Sequence, residues 1–295
     1  MGHLERLQEA MGAAGFDALL LGGEAAGQFA AGHSRIGVHM PGWPIPVTAV
    51  LTSGPPHIVT ADPDGAVDLP ADHVHGMMWN PETLVTELQH WLGGASGLRV
   101  GTDALSPGGR ALIDAALPGS TIVDATRLLA DVMLSKTPEE VDALGDLCRF
   151  VTAAAEEGIR HGRPALLSAL HGAFPVSHPL VSERRVRVAV RRDGLIGEAR
   201  IGPGHPDLGE RAVELLRPGA TSSEVAAALP AGVEVTGVGW GYEAPLLRHG
   251  WASPEDLVLR TGAVMAVRWE DCGVTLALEA DGPRFLSLAP KEVVR

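Results

Sequence analysis

The sequence predicts a two-domain α/β (α+β) protein, and three observations predict it. The chain has 295 residues, 45% of them hydrophobic and 20% charged, enough for one or two sizeable buried cores. Up to about residue 130, short apolar runs of strand length alternate with amphipathic helical stretches. A long, well-capped helix then opens near Thr137, and strand-like runs dominate the remainder of the chain. The expected division is residues 1–130 and 131–295.

The first element is "LERLQEAMGAAG", with Leu4, Leu7 and Met11 on one helical face and Gly15 as its stop. "FDALLLGG" reads as a buried strand, as do "PVTAVLTSG", "PHIVTAD" and "RVGTD". Helices are expected at "PETLVTELQHWLGG" and "SPGGRALIDAAL". The strongest helix is "SKTPEEVDALGDLCRFVTAAAEEGIRHG". There Thr137 caps, Pro138 takes the first helical position, Glu140 closes a capping box and Gly162 ends the helix. "RRVRVAVRRDG" alternates as a strand, "GERAVELLRPGATSSEVAAALPAG" reads as helix, turn and helix, and "GAVMAVRWEDCG" with "VTLALEADGPRFLSL" reads as paired strands.

Composition narrows the function. A net charge of −13 repels phosphate backbones, and no Lys/Arg cluster interleaves with aromatics, so nucleic acid is not an expected partner. No apolar run reaches the length of a membrane span, and the first residues lack the basic start and cleavage pattern of a secretory leader. A cytoplasmic address is the expectation. Cys148 and Cys272 form no C-x-x-C pair and read as buried thiols. His39, His73, His75, His90, His161, His171, His205 and His249 have no ligand spacing, and the "HVH" pair, of period two and so on one face if it is a strand, reads as loop or strand filler.

The order of "RLLADVMLSKTPEEVDAL", "LLRPGATSSEVAAAL", "GVGWGYEAPLL" and "ADGPRFLSL" resembles the creatinase, aminopeptidase P and prolidase superfamily over nearly the whole length. The resemblance implies a creatinase-type N-terminal α/β domain, then a pita-bread C-terminal domain, here shortened, and a homodimer. The shortening is expected between "EEGIRHG" and "SHPLVSERR", where a helix and a strand of the first half would fall.

Peptidases of that superfamily hold two divalent cations with two Asp, one His and two Glu. At the matching positions this chain has Val190 (or Arg191 and Arg192 beside it), Ile201, Val238, Arg268 with Trp269 after it, and Gly273. A shift of two would bring in Glu270 or Asp271, still too few ligands for an ion. Asp193 is the one nearby carboxylate in this reading, and its Asp-Gly context reads as a turn. No metal and no cofactor is expected, and without ions the metallopeptidase mechanism is closed.

Two positions match functional ones of the family: His178 in "FPVSHPLV", which faces substrate there, and Glu243 in "YEAP". Tyr242 replaces a second substrate-facing histidine. The resemblance to the metal-free creatinase branch implies an enzyme acting on a C–N bond of a small amide, amidine or amino-acid-like substrate. His178 and Glu243 would be its acid–base pair, and Tyr242 a hydrogen-bond donor. Arg268 would bind a substrate carboxylate or pair with Glu243, and Trp240 and Trp269 would wall the pocket or belong to the core. His178 also reads as a surface loop residue, and Glu243 as a loop brace bonded to backbone N–H groups. The alternative is a catalytically inactive, peptidase-like pseudoenzyme that serves as a binding or assembly module.

Overall fold

The computed structural model describes residues 2–32, 48–60, 63–65, 69–78, 80–103, 106–176, 178–254 and 256–294. His39 and the first residues of the run beginning at Pro46 lie outside them. Two compact units divide the chain, Met1–Val132 and Met133–Arg295.

The first unit runs α1 (His3–Ala14), β1 (Ala18–Leu21), α2 (Glu24–Ala31), β2 (Thr48–Leu51), β3 (His57–Thr60), β4 (Val74–Gly76), α3 (Pro81–Trp91), β5 (Arg99–Thr102), α4 (Pro107–Ala116), β6 (Thr121–Asp124) and most of α5 (Thr126–Leu134). Among the described residues its six strands form one sheet in the order β4-β3-β2-β1-β5-β6. The β1 run is buried at every residue, which is why it reads as an unbroken apolar stretch. Gly15 ends α1 in the left-handed conformation at φ 69°, and its N–H returns to the helix carbonyls. Leu84, Leu88 and Trp91 of α3 and Ile113 of α4 pack with Leu20 and Val100 into the core. Two elements escape the sequence reading. The α2 segment carries a mid-helix glycine and no capping side chain, while β6 is short, with polar Thr121 and Asp124 at its ends.

The "HVH" pair also differs from its expectation. His73 closes a short 3₁₀ turn and only His75 lies on β4, because the chain enters the strand at Val74. The His57 ring on β3 stacks against His73 at 4.0 Å and against Trp91 at 5.0 Å, and its Nδ1 lies 3.3 Å from His75 Nε2. Burial and the neighbouring imidazoles lower the His57 pKa to about 4.

The second unit continues with α6 (Pro138–His161), α7 (Arg163–Ala169), β7 (Phe174–Pro175), β8 (Leu180–Ser182), β9 (Arg185–Arg192), β10 (Leu195–Ile201), α8 (Pro206–Leu215), α9 (Ser222–Ala228), β11 (Val233–Val238), β12 (Tyr242–Arg248), β13 (Trp251–Ala252), β14 (Val264–Trp269), β15 (Cys272–Glu279), β16 (Gly282–Phe285) and α10 (Pro290–Val293). The α6 start carries the expected cap, with Thr137 Oγ1 accepting from Glu140 N and Glu140 accepting from Thr137 N. A ten-stranded sheet runs β13-β12-β11-β14-β15-β10-β9-β7, with β16 on β15 and β8 on β9. Asp193 and Gly194 both take positive φ in the tight turn joining β9 to β10, so the Asp-Gly pair is a hairpin turn. Where the sequence suggested that a helix and strand were missing, the structure has α7 and the two-residue β7.

Helices cover one face of this sheet. A Cβ on Gly197 would stand 2.6 Å from Leu147 of α6, and one on Gly209 of α8 would stand 2.6 Å from the Trp269 ring. Side chains alternate along a strand, so the residues next to Gly197 and Trp269, Glu198 and Arg268, belong to the opposite face. That parity positions the candidate site.

Candidate functional site

The charged face is built from cross-strand register. Arg248 on β12 stands opposite Glu234 on β11, Glu234 opposite Arg268 on β14, Arg268 opposite Gly273 on β15, Gly273 opposite Arg200 on β10, and Arg200 opposite Arg187 on β9. Directly opposed residues share a face and lie within reach of one another. Strand pairing therefore assembles a row of Arg, Glu, Arg, Gly, Arg and Arg from residues scattered over the second unit.

Arg268 occupies the middle of the row and is 8% exposed. Its Nε donates to Glu198 Oε1 at 2.8 Å, one Nη donates to Glu198 Oε2 at 2.8 Å, and the other Nη donates to Glu234 Oε1 at 2.9 Å. The paired bonds to Glu198 make a fork-to-carboxylate contact. Burial opposes the guanidinium charge, but Glu198 and Glu234 together hold its pKa above the usual arginine value. Glu234 also accepts from Arg248 at 2.7 Å.

Tyr242 completes this cluster. Its hydroxyl donates to Glu198 Oε2 at 2.9 Å, and the Arg268 guanidinium lies 4.7 Å from its ring centroid. Burial and the Glu198 charge push the phenol pKa upward, so the group remains a donor at neutral pH. With 43% of its surface exposed, Tyr242 is far more open to solvent than Arg268 at 8% or Glu198 at 4%.

Glu243, the next residue, points the other way along β12 and serves a different purpose. Its Oε2 lies 2.6 Å from Lys136 Nζ, and its Oε1 accepts from the Trp240 backbone N–H at 2.7 Å. Lys136 Nζ also donates to the Met133 carbonyl. The pair needs a glycine at 239, where a Cβ would come 2.7 Å from Glu243 Oε1 and closer still to the lysine side chain.

The residues expected to work together divide among four environments. Tyr242 and Arg268 meet on Glu198. Glu243 is joined to Lys136, so the pairing of Arg268 with Glu243 considered from the sequence does not form. His178 is exposed on the connection between β7 and β8, and among the described residues it has no hydrogen-bonding partner. Trp240 and Trp269 are each 1% exposed and belong to the packed interior, Trp269 lying against Gly209 of α8.

Sequence reasoning missed Glu198, Lys136 and Arg200. Asp193 is not the carboxylate nearest this chemistry, as the sequence suggested; Glu198 is, because the hairpin turn sends Asp193 to the surface and β10 carries Glu198 inward. The available signal was a lone glutamate in the strand-like run "LIGEARI", at even spacing from Arg200. Lys136 had no local signal beyond its place before the capping Thr137.

The two-cation centre implied by the family resemblance does not fit these residues. Val190, Ile201 and Val238 are buried apolar side chains, Arg268 is a cation, and Gly273 has no side chain. Among the described residues no group of three or more His, Cys, Asp or Glu could hold a metal ion. Hard divalent cations require oxygen-rich or imidazole ligands, and this set offers none in their place.

No family model and no curated protein matches the chain. Solved structures do. A dipeptidase from Pyrococcus horikoshii OT3 superposes with TM-score 0.67 over 97% of this chain and 98% of that one, at 15% identity. An X-Pro aminopeptidase from Thermotoga maritima MSB8 does so with TM-score 0.69 over 100% and 99%, at 13% identity. The N-terminal domain of the FACT complex subunit SPT16 from Cicer arietinum (chickpea) gives TM-score 0.59 over 99% and 97%, also at 13% identity. The chain has the two-domain pita-bread fold of these structures, in agreement with the expected fold class. Among the described residues no helix is long and apolar enough to cross a membrane.

Proposed function

We propose that this chain is a peptidase-like pseudoenzyme, a binding module on the pita-bread fold in which ion pairs between side chains replace the metallopeptidase centre. The observation that carries the reading is that the matched positions are buried in ion pairs with other side chains of the protein. Glu243 bonds Lys136 with one oxygen and the Trp240 N–H with the other, its side chain 2% exposed, and Arg268, 8% exposed, is held by Glu198 and Glu234. A general base must come within hydrogen-bond reach of the proton it removes, and a carboxylate closed off in its own ion pair does not. The likeness to a FACT complex subunit domain supports the use of this fold outside the peptidases, since function resides in the site rather than the fold. The bound species is a small molecule or peptide end that meets the charged face beside Tyr242, and the protein acts as a homodimer in the cytoplasm.

The second reading is a metal-independent enzyme acting on a C–N bond, with His178, Glu243 and Tyr242 as its chemical groups and Arg268, Trp240 and Trp269 around the substrate. One observation favours it: the partly exposed Tyr242 hydroxyl is hydrogen-bonded to a buried carboxylate, a ready donor–acceptor pair. The two readings separate in a turnover screen of small amides, amidines and dipeptides, run alongside thermal-shift screening of the same compounds. Binding without turnover is the expected result. Turnover that disappears in both His178→Ala and Glu243→Gln, with each variant still folded by circular dichroism, would establish the enzyme and end the pseudoenzyme reading.

A further inference from the structure

The cross-strand row leaves one cation over. Arg248 pairs with Glu234, Arg268 with Glu234 and Glu198, and Arg187 with Asp271. Arg200 stands in the same row, between Gly273 and Arg187, and among the described residues it has no hydrogen-bonding or ion-pair partner. The carboxylate nearest to it in the row's chemistry, Glu198, has Oε1 occupied by Arg268 and Oε2 shared between Arg268 and the Tyr242 hydroxyl.

Gly273 makes room for this arginine. A Cβ there would stand 3.2 Å from Arg200 Cδ and 3.3 Å from its Cβ, so the arginine stem lies across the glycine. The guanidinium is half-buried among Glu198, Arg268, Tyr242 and Arg187. Burial and the two neighbouring guanidinium groups lower its pKa, and Glu198 only partly offsets them. A partly desolvated cation beside two others is an unfavourable arrangement that an incoming anion relieves.

We propose that Arg200 is the anion anchor of this face and takes the carboxylate of a small ligand, whose body lies against the Tyr242 ring. This rests on the binding-module reading and names the ligand class. A carboxylate is favoured over a phosphate because a single free guanidinium fork matches one planar, singly charged group. A dianion would also face Glu198, Glu234 and Asp271 in a protein of net charge −13.

Tyr242 is the chain's one tyrosine, so its ring resonances report on this face without ambiguity. The full-length protein is titrated to millimolar concentration with propionate, its uncharged isostere propionamide, and inorganic phosphate, while the Tyr242 ring signals are followed by NMR. Propionate is expected to give a saturable shift and propionamide none. Arg200→Gln should weaken the propionate response by about tenfold or more, as loss of a charge-assisted hydrogen bond does. Arg200→Lys should fall between, and its unchanged thermal midpoint would confirm the fold. An equal propionate response in Arg200→Gln, or none in the wild-type protein, overturns the anchor. A stronger response to phosphate overturns the carboxylate assignment. An uncharged screening hit that shifts Tyr242 equally in wild type and Arg200→Gln removes the anchor but leaves the binding reading standing. Turnover dependent on His178 and Glu243 removes the binding reading while leaving the propionate affinity difference intact.

Discussion

Lys136 Nζ lies 2.6 Å from Glu243 Oε2, with the two side chains 1% and 2% exposed and 107 residues apart in the chain. This ion pair ties the residue before the α6 cap to the start of β12, and the Trp240 N–H and Met133 carbonyl satisfy part of what remains. A pair this deep is costly to break and contributes little beyond what an apolar substitute would, because desolvation offsets much of the attraction.

Glu243→Gln alone should therefore destabilise the protein by about 3–5 kcal/mol, since it leaves a buried ammonium without its counter-charge. Lys136→Met in the same chain should recover most of that loss, because the glutamine amide oxygen can still accept from the Trp240 N–H. Urea unfolding of the two single variants and the double variant measures the coupling. Additive losses would mean that the two side chains do not pair.

The packing of Gly209 against Trp269 makes a second expectation. A Cβ at 209 would fall 2.6 Å from the ring of a side chain that is 1% exposed and has no room to turn. Gly209→Ala should cost about 1–3 kcal/mol as overpacking, despite the better helix propensity of alanine. Tryptophan fluorescence during denaturation reads the shift in midpoint. A stabilised variant would contradict the contact.

The His57 cluster sets a pH dependence. The folded-state pKa of His57 is near 4, below its ordinary 6.5, so between those values the unfolded chain binds more protons than the folded one. Stability from this source is complete above about 6.5 and is lost as pH falls through about 4. His75 shifts in the same direction, chiefly through burial. Asp72, Glu87, His73 and His90 also face the two rings. Thermal midpoints of the full chain should decline from pH 6.5 towards pH 5, and His57→Gln should flatten that slope. An unchanged slope in the variant would place the titration elsewhere.

Light scattering at micromolar concentration should return the mass of a dimer. A monomer would remove the homodimer from the proposed function without affecting the Arg200 anchor, whose residues all belong to one chain.

Much of the fold was readable because its signals are local or ordered along the chain. The Thr137-Pro138-Glu140 cap places the start of α6 by bonds spanning three residues, and Asp193-Gly194 specifies a hairpin by its own backbone preferences. The succession of the "KTPEE", "RPGATSS" and "DGP" segments was enough to anticipate the pita-bread architecture. Weakly patterned pieces such as α2 and β6 were not readable, because their packing rather than their periodicity holds them in place.

By itself, the sequence determined which side chains exist at the positions that the resemblance matches to metal ligands: three apolar residues, an arginine and a glycine. It also determined that two candidate groups, His178 and Glu243, accompany them. Only the tertiary structure decided the partner of each charge. Arg268 is bound by Glu198, 70 residues away, and by Glu234, 34 away, while Glu243 is bound by Lys136 and, among the described residues, Arg200 is left over. The reason is that a strand presents alternate residues to opposite faces, and register then sets which of them are opposed. A one-residue change of register would exchange every partner in the row, and no local property of an arginine or a glutamate records which register the sheet adopts.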